Sequence, residues 1–135
     1  MKQFKLKNSG EGNQDKHPTG SVRDSREGKG RYDLIPPGPL RRLAIVYELG
    51  SRRYGDGNWQ KGMPLRRYLD SAFRHLMCLY AGEPIEDNAA QCCWNLFAYM
   101  WTLNEIEYGR LPKELDDRFP PEPQYVDTNK DEEAI

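Results

Sequence analysis

Apolar side chains are sparse along the first 30 residues, which are rich in Lys, Asn, Ser, Gly and Asp, and they become dense and periodic from residue 36 onward. Such a lead segment cannot offset the entropy cost of ordering, so residues 1–27 are predicted to be a flexible arm. The stretch Gly28–Pro39 adds Tyr32, Leu34 and Ile35, suited to docking an extended arm, while Pro36, Pro37 and Pro39 are expected to hold off helix until Leu40. Three helices follow. The first, at about 39–53, places Leu40, Leu43, Ala44 and Tyr47 on one face and ends at a glycine-containing turn, Tyr54-Gly-Asp-Gly-Asn. Pro64 opens the second, at about 64–81, whose broad apolar stripe runs from Leu65 through Tyr68, Leu69, Ala72, Phe73 and Leu76 to Leu79 and Tyr80. Glu86 and Asp87 open the third, at about 86–108, at its positive dipole end.

The third helix carries no charge from Asn88 to Asn104 and is apolar nearly all round, which predicts a place at the centre of a bundle or in a subunit interface. Its amides and marginal length argue against a membrane span. Strand formers are scarce. The expected fold is therefore all-α, a compact bundle of three main helices over residues 28–111, with a disordered N-terminal arm and an acidic C-terminal arm over residues 112–135.

Twenty basic and 21 acidic residues give a net charge of −1, which excludes a general nucleic-acid binder or a membrane-surface protein. The three cysteines, Cys78, Cys92 and Cys93, are an odd count in apolar surroundings and lack Cys-x-x-Cys spacing. With no signal-peptide pattern at the start, they point to a reduced, cytoplasmic protein with buried thiols.

Three constellations could carry chemistry. Asn88, Gln91, Asn95 and Thr102 form one narrow strip on the third helix, where uncharged amides beside apolar surface suggest a semi-buried groove or an inter-helix hydrogen-bond network. Arg66, Arg67, Asp70 and Arg74 share the second helix's polar face, with His75 at its edge. Asp70 is spaced to pair with Arg66 and Arg74, an arrangement that by itself reads as a solvated face. The excess of guanidinium over carboxylate also suits phosphate oxygens. In the turn, Gly55 and Gly57 permit close backbone approach beside Asn58 and Trp59, and Glu48 is spaced to pair with Arg52. No Walker loop, dinucleotide fingerprint, HExxH or nucleophile elbow is present.

The order Gly-Arg-Tyr-Asp-Leu-Ile-Pro-Pro (30–37), Tyr-Glu-Leu-Gly-Ser-Arg-Arg-Tyr-Gly-Asp-Gly-Asn-Trp-Gln-Lys-Gly (47–62), Arg-Tyr-Leu-Asp-Ser-Ala-Phe-Arg-His-Leu (67–76) and Trp-Asn-Leu (94–96) resembles the phage-type dATP/dGTP diphosphohydrolase N-terminal domain family. That family is similar in outline to all-α, MazG-like nucleoside triphosphate pyrophosphohydrolases. The resemblance implies hydrolysis of purine deoxynucleoside triphosphates to monophosphate and pyrophosphate, with Mg2+ or another divalent metal, in the host cytoplasm if phage-encoded. It points to Arg53, Tyr54, Gly55, Asn58 and Trp59 in the turn, to Asp70, Arg74 and His75 on the second helix, and to Asn95 on the third.

Where family members commonly read His-x-x-His before the Trp-Asn pair, this chain has Asn88 and Gln91. The carboxylate pairs of MazG-like magnesium cages are represented only by Glu83-x-x-Glu86, broken by Pro84. The expected roles are catalysis by Asp70, Arg74 and His75, metal binding by some of Glu48, Asp70 and Asp87, with Glu86 a further available carboxylate, and substrate binding by the turn residues with Arg67, Asn88, Gln91 and Asn95. A homo-oligomer, dimer or tetramer, is expected through the apolar third helix. Two alternatives stay open: a catalytically impaired nucleotide-binding or regulatory protein on the same scaffold, and a helical interaction module acting through its arms.

Overall fold

The computed structural model describes residues 14–122; the extremes of both expected arms, 1–13 and 123–135, lie outside the described residues. Three helices dominate: α1 (Pro37–Tyr54), α2 (Leu65–Tyr80) and α3 (Asn88–Glu107). The all-α expectation holds, with one small addition. Strands β1 (Gln14–Lys16) and β2 (Val22–Asp24) form an antiparallel hairpin within the expected arm, paired in the register Asp15 to Arg23. Its source is the turn rather than any core. The Gly20 N–H donates to the His17 carbonyl at 2.9 Å, Pro18 follows His17, and Gly20 has φ +87°, a three-residue loop that closes a hairpin without buried side chains.

α1 begins earlier than the prolines suggested. Pro37 and Pro39 sit in its first turn, where no N–H is needed for an intrahelical bond, so they are accommodated there. At the start of α3, the Asp87 side chain accepts from the Ala90 N–H at 3.2 Å and satisfies a donor that the helix leaves free. Arg42 of α1 grips the same carboxylate with two bonds, at 2.6 and 2.5 Å, tying the two helices together at that end. The adjacent guanidinium holds the Asp87 carboxyl below the usual carboxylate range.

α3 is the central element, packing on α2 along its length and on α1, while α1 and α2 hardly touch. The two packed helices bury small side chains, Ala72 on α2 and Ala90, Ala98 and Thr102 on α3. Leu65, Tyr68, Ala98 and Ile106 form the core, with Trp59, Met63 and Trp94 packed around them. Thr102 Oγ1 donates to the Tyr68 hydroxyl at 3.2 Å, and that hydroxyl donates to the Trp59 carbonyl at 3.4 Å, so this polar seam through the core is satisfied.

Not all of the apolar pattern is buried. On α1, Leu43 and Val46 are buried and Tyr47 half-buried, whereas Leu40 and Ala44 are exposed. On α2, Phe73, Leu76, Leu79 and Tyr80 are exposed, and none of them lines the gap between α2 and α1. The C-terminal boundary also moves outward. Leu111 and Leu115 pack on the core, Asp117 accepts from the Arg66 N–H at 2.8 Å, and Arg66 lies 4.1 Å over the Phe119 ring. Residues 112–119 are thus a docked strap, and Asp117 supplies the cap that Pro64 cannot give α2.

Candidate functional site

Because α1 and α2 both lean on α3 yet stand apart from each other, a cleft opens between them. It encloses about 780 Å³, floored by α3 and closed at one end by the glycine turn. The volume falls in the range of sites for drug-sized and nucleotide-sized ligands.

The turn is shaped by Gly55 at φ +90° and Gly57 at φ +66°, conformations that side chains oppose. Ser51 at the end of α1 donates to the Asp56 carboxylate and pins the turn against the helix. Trp59 follows and is only partly free. Its ring meets Trp101 at 4.9 Å, Tyr47 at 5.9 Å and Trp94 at 6.4 Å between centroids, all edge-to-face, so it belongs to a rigid aromatic cluster with one border on the cavity.

From α2, Arg67, Arg74 and His75 line the cavity; from the end of α1, Arg53 does. These three arginines differ from most others in the protein. Arg31, Arg42, Arg52, Arg110 and Arg118 each grip a carboxylate at 2.8 Å or less. Arg53, Arg67 and Arg74 have no ion pair with any described carboxylate. Arg74 donates instead to Ser71 Oγ at 3.3 Å, and Arg53 lies 5.2 Å over the Tyr54 ring. The expected pairing of Asp70 with Arg66 and Arg74 does not form, which leaves Arg74 on the cavity wall without an ion pair to any described carboxylate.

The floor is amide-rich. Asn95, 5% exposed, donates through Nδ2 to the Gln91 carbonyl at 2.9 Å, which leaves its Oδ1 as an acceptor in the cavity wall. Gln91 lines the cavity as well, as do Tyr54, Gly55 and Asn58. His75 is also 5% exposed, and its Nδ1 lies 2.9 Å from Asn88 Oδ1 and 3.9 Å from the Glu86 carboxylate.

Four expected site residues stand outside the cavity wall. Glu48 is held by Arg52 on the exposed side of α1, the ordinary i, i+4 outcome. Asp87 is committed to the α3 cap and to Arg42. Asp70 is exposed and does not reach the cavity. Asn88 is buried behind His75 instead of facing a ligand. The metal set Glu48, Asp70 and Asp87 is therefore not brought together, and among the described residues no group of three or more His, Cys, Asp and Glu could hold a metal ion. Two carboxylates do line the cavity, Asp56 and Glu86. Asp56 was not foreseen, though its place between the two glycines of the turn was a signal. Glu86 was foreseen only as a spare carboxylate.

The profile of the family described as "dATP/dGTP diphosphohydrolase, N-terminal" matches residues 19–118. The chain belongs to this family. The match reaches further than the predicted 28–111 at both ends, taking in the second strand of the hairpin and most of the docked strap. A curated relative, the dATP/dGTP diphosphohydrolase of Salmonella phage PMBT28, is 32% identical over 83 residues. That stretch covers 58% of this chain and 28% of the relative, so the chain spans well under a third of the relative's length. No solved structure matches the chain. Among the described residues, no helix is long and apolar enough to cross a membrane.

Proposed function

We propose that the cavity binds a purine deoxynucleoside triphosphate, dATP or dGTP, and hydrolyses it to the monophosphate and pyrophosphate. The observation that carries this reading is the convergence of Arg53, Arg67 and Arg74, none paired with a described carboxylate, on one cavity of nucleotide size. Unpaired guanidinium groups gathered at one concave site favour a polyanion, and their forked donors match phosphate oxygens. The family membership and the relative's name support the substrate class.

In this reading the arginines grip the phosphates and stabilise charge as it develops, which is most of what phosphoryl transfer asks of a protein. The aromatic cluster offers the border of Trp59 to the purine. Asn95 Oδ1 accepts from a sugar hydroxyl or base amino group, and Asn58 and Gln91 read remaining edges. Among the described residues there is no self-sufficient metal cage, so magnesium would arrive bound to the triphosphate, with Asp56 the carboxylate placed to complete its oxygen shell. The site would work in the cytoplasm, host cytoplasm if phage-encoded, where such nucleotides occur, and in a homo-oligomer.

The test is pyrophosphate release over all dNTPs and NTPs, with and without magnesium. Turnover confined to purine deoxynucleotides is expected. Saturable dGTP binding without turnover would replace the enzyme with a nucleotide-binding protein on this scaffold. Neither signal would remove both.

A further inference from the structure

Asn88 is the one amide of the lower α3 strip that does not line the cavity, although it is placed a turn from Gln91. It is 5% exposed, and its Oδ1 lies 2.9 Å from His75 Nδ1 while its Nδ2 faces the Glu83 carbonyl at 3.5 Å. This orientation has a cause. Turned round, the amide would set Oδ1 against the Glu83 carbonyl oxygen, two acceptors with no proton between them. With Oδ1 toward the ring, Nδ1 must be the donor. Glu86 acts in the same direction, since a carboxylate 3.9 Å from Nδ1 favours the proton there.

A neutral imidazole carries one proton, so Nε2 is left with its lone pair. His75 lines the cavity, and Nε2 has no hydrogen-bond partner among the described residues. An acceptor on a side chain this buried is satisfied by water or by a ligand. The charged and titratable groups around this end are Arg74 and Cys78 on α2, Glu83 and Glu86 on the α2–α3 connection, and Arg53 and Asp56 across the cavity. α3 contributes only the neutral amides Asn88 and Gln91.

We infer that Asn88 is a positioning residue that holds His75 in its Nδ1–H form, so that Nε2 takes the proton of the water attacking the triphosphate. This rests on the hydrolytic reading above. As the water oxygen bonds to phosphorus, its proton passes to Nε2 and the P–O bond of the α–β bridge breaks, its electron pair leaving with pyrophosphate. The imidazolium that results is held at Nδ1–H by Asn88 Oδ1 and by the Glu86 carboxylate, and it returns the proton to solvent or product. The amide at 88 thus serves the hydrolysis from behind the base.

Nitrogen-15 NMR of the full chain without nucleotide reads the tautomer directly, and His75→Gln identifies its signals, since the chain has two histidines. The wild type should show neutral His75 as Nδ1–H, and Asn88→Ala should shift it toward Nε2–H. In steady-state assays Asn88→Ala should lower kcat by about tenfold with KM little changed, and His75→Gln by about 100-fold or more. Asn88→Asp keeps an acceptor at Nδ1, so it should retain the Nδ1–H form and move the acidic limb of the kcat profile to higher pH. A wild-type Nε2–H tautomer, or an Asn88→Ala enzyme with unchanged kcat, would overturn the inference. An Nδ1–H wild type that releases no pyrophosphate from any nucleotide would overturn the hydrolytic reading, and with it the role of Nε2 as base, while the positioning of the ring by Asn88 stood.

Discussion

Arg67 and Arg74 are seven residues apart on α2, about 10 Å along the axis, so one helix face presents two cations over the length of a polyphosphate. Replacing either by Ala should lower kcat/KM by about 10- to 100-fold, the loss expected for a charge-assisted hydrogen bond, with far-ultraviolet circular dichroism unchanged. Arg52→Ala is the matched control. Its partner Glu48 lies outside the cavity, and an exposed pair of this kind contributes little, so kcat/KM should stay within about twofold. Asp70→Asn separates the sequence expectation from the structure: an exposed carboxylate that lines no cavity should leave kcat within about twofold. The cationic face of α2 was legible because helical spacing alone gathers Arg67 and Arg74. Which of its charges would be neutralised was not legible, since Arg74 turns to Ser71 and not to Asp70 through a choice of rotamer that spacing does not contain. Asn88 illustrates the same limit. Its spacing put it on the strip with Gln91 and Asn95, but what faces each position depends on the partner helix.

At the scale of elements, the helices were legible because each combines a long apolar pattern, periodic in α1 and α2 and nearly all round in α3, with a start or stop signal: Pro64 before α2, Asp87 before α3 and Gly55 after α1. The hairpin and the strap were not, since the one rests on a local turn and the other on long-range contacts. Gly62 shows how the strap is coupled to the glycine turn. It sits at φ +90°, and an added Cβ would lie 2.8 Å from Leu115 Cδ1. Gly62→Ala should therefore destabilise by about 1–3 kcal/mol in urea unfolding, by combining backbone strain with overpacking. The α3 cap gives a second measurement. Asp87→Ala should cost about 1 kcal/mol for the lost cap alone. Arg42 keeps the Asp87 carboxyl below its ordinary value, and Arg110 and Arg118 do the same for Glu105 and Asp116. Carboxyls lowered in the folded state bind fewer protons than in the unfolded chain, so their contribution is present above the ordinary carboxylate range and is lost as pH falls through their lower native values. The urea midpoint should hold from neutral pH down to about pH 5 and then fall below about pH 4, less steeply in Asp87→Asn.

For the molecule as a whole, α3 satisfies only part of the burial that its composition demands. One face supports α2 and α1, but Leu96, Phe97 and Met100 remain exposed, following Cys93 at spacings of three, four and seven residues. α2 repeats that spacing with Phe73, Leu76, Met77 and Tyr80, and Phe73 and Tyr80 are 70% and 89% exposed. Single exposed apolar residues are ordinary; two helical stripes of them on one small domain are not. A second copy of the chain can cover such a stripe with itself, because a two-fold interface needs only one self-complementary patch. Light scattering at micromolar concentration should then give a mass above the 15.7 kDa of one chain. Phe97→Glu tests the α3 stripe and Phe73→Glu the α2 stripe, each placing a charge on a surface residue that the fold does not bury. The variant that breaks the interface should return the mass to one chain with helicity intact. A wild type at 15.7 kDa would show that both stripes face solvent, and that the charge-free run from Asn88 to Asn104 serves the cavity floor and the helix seam alone.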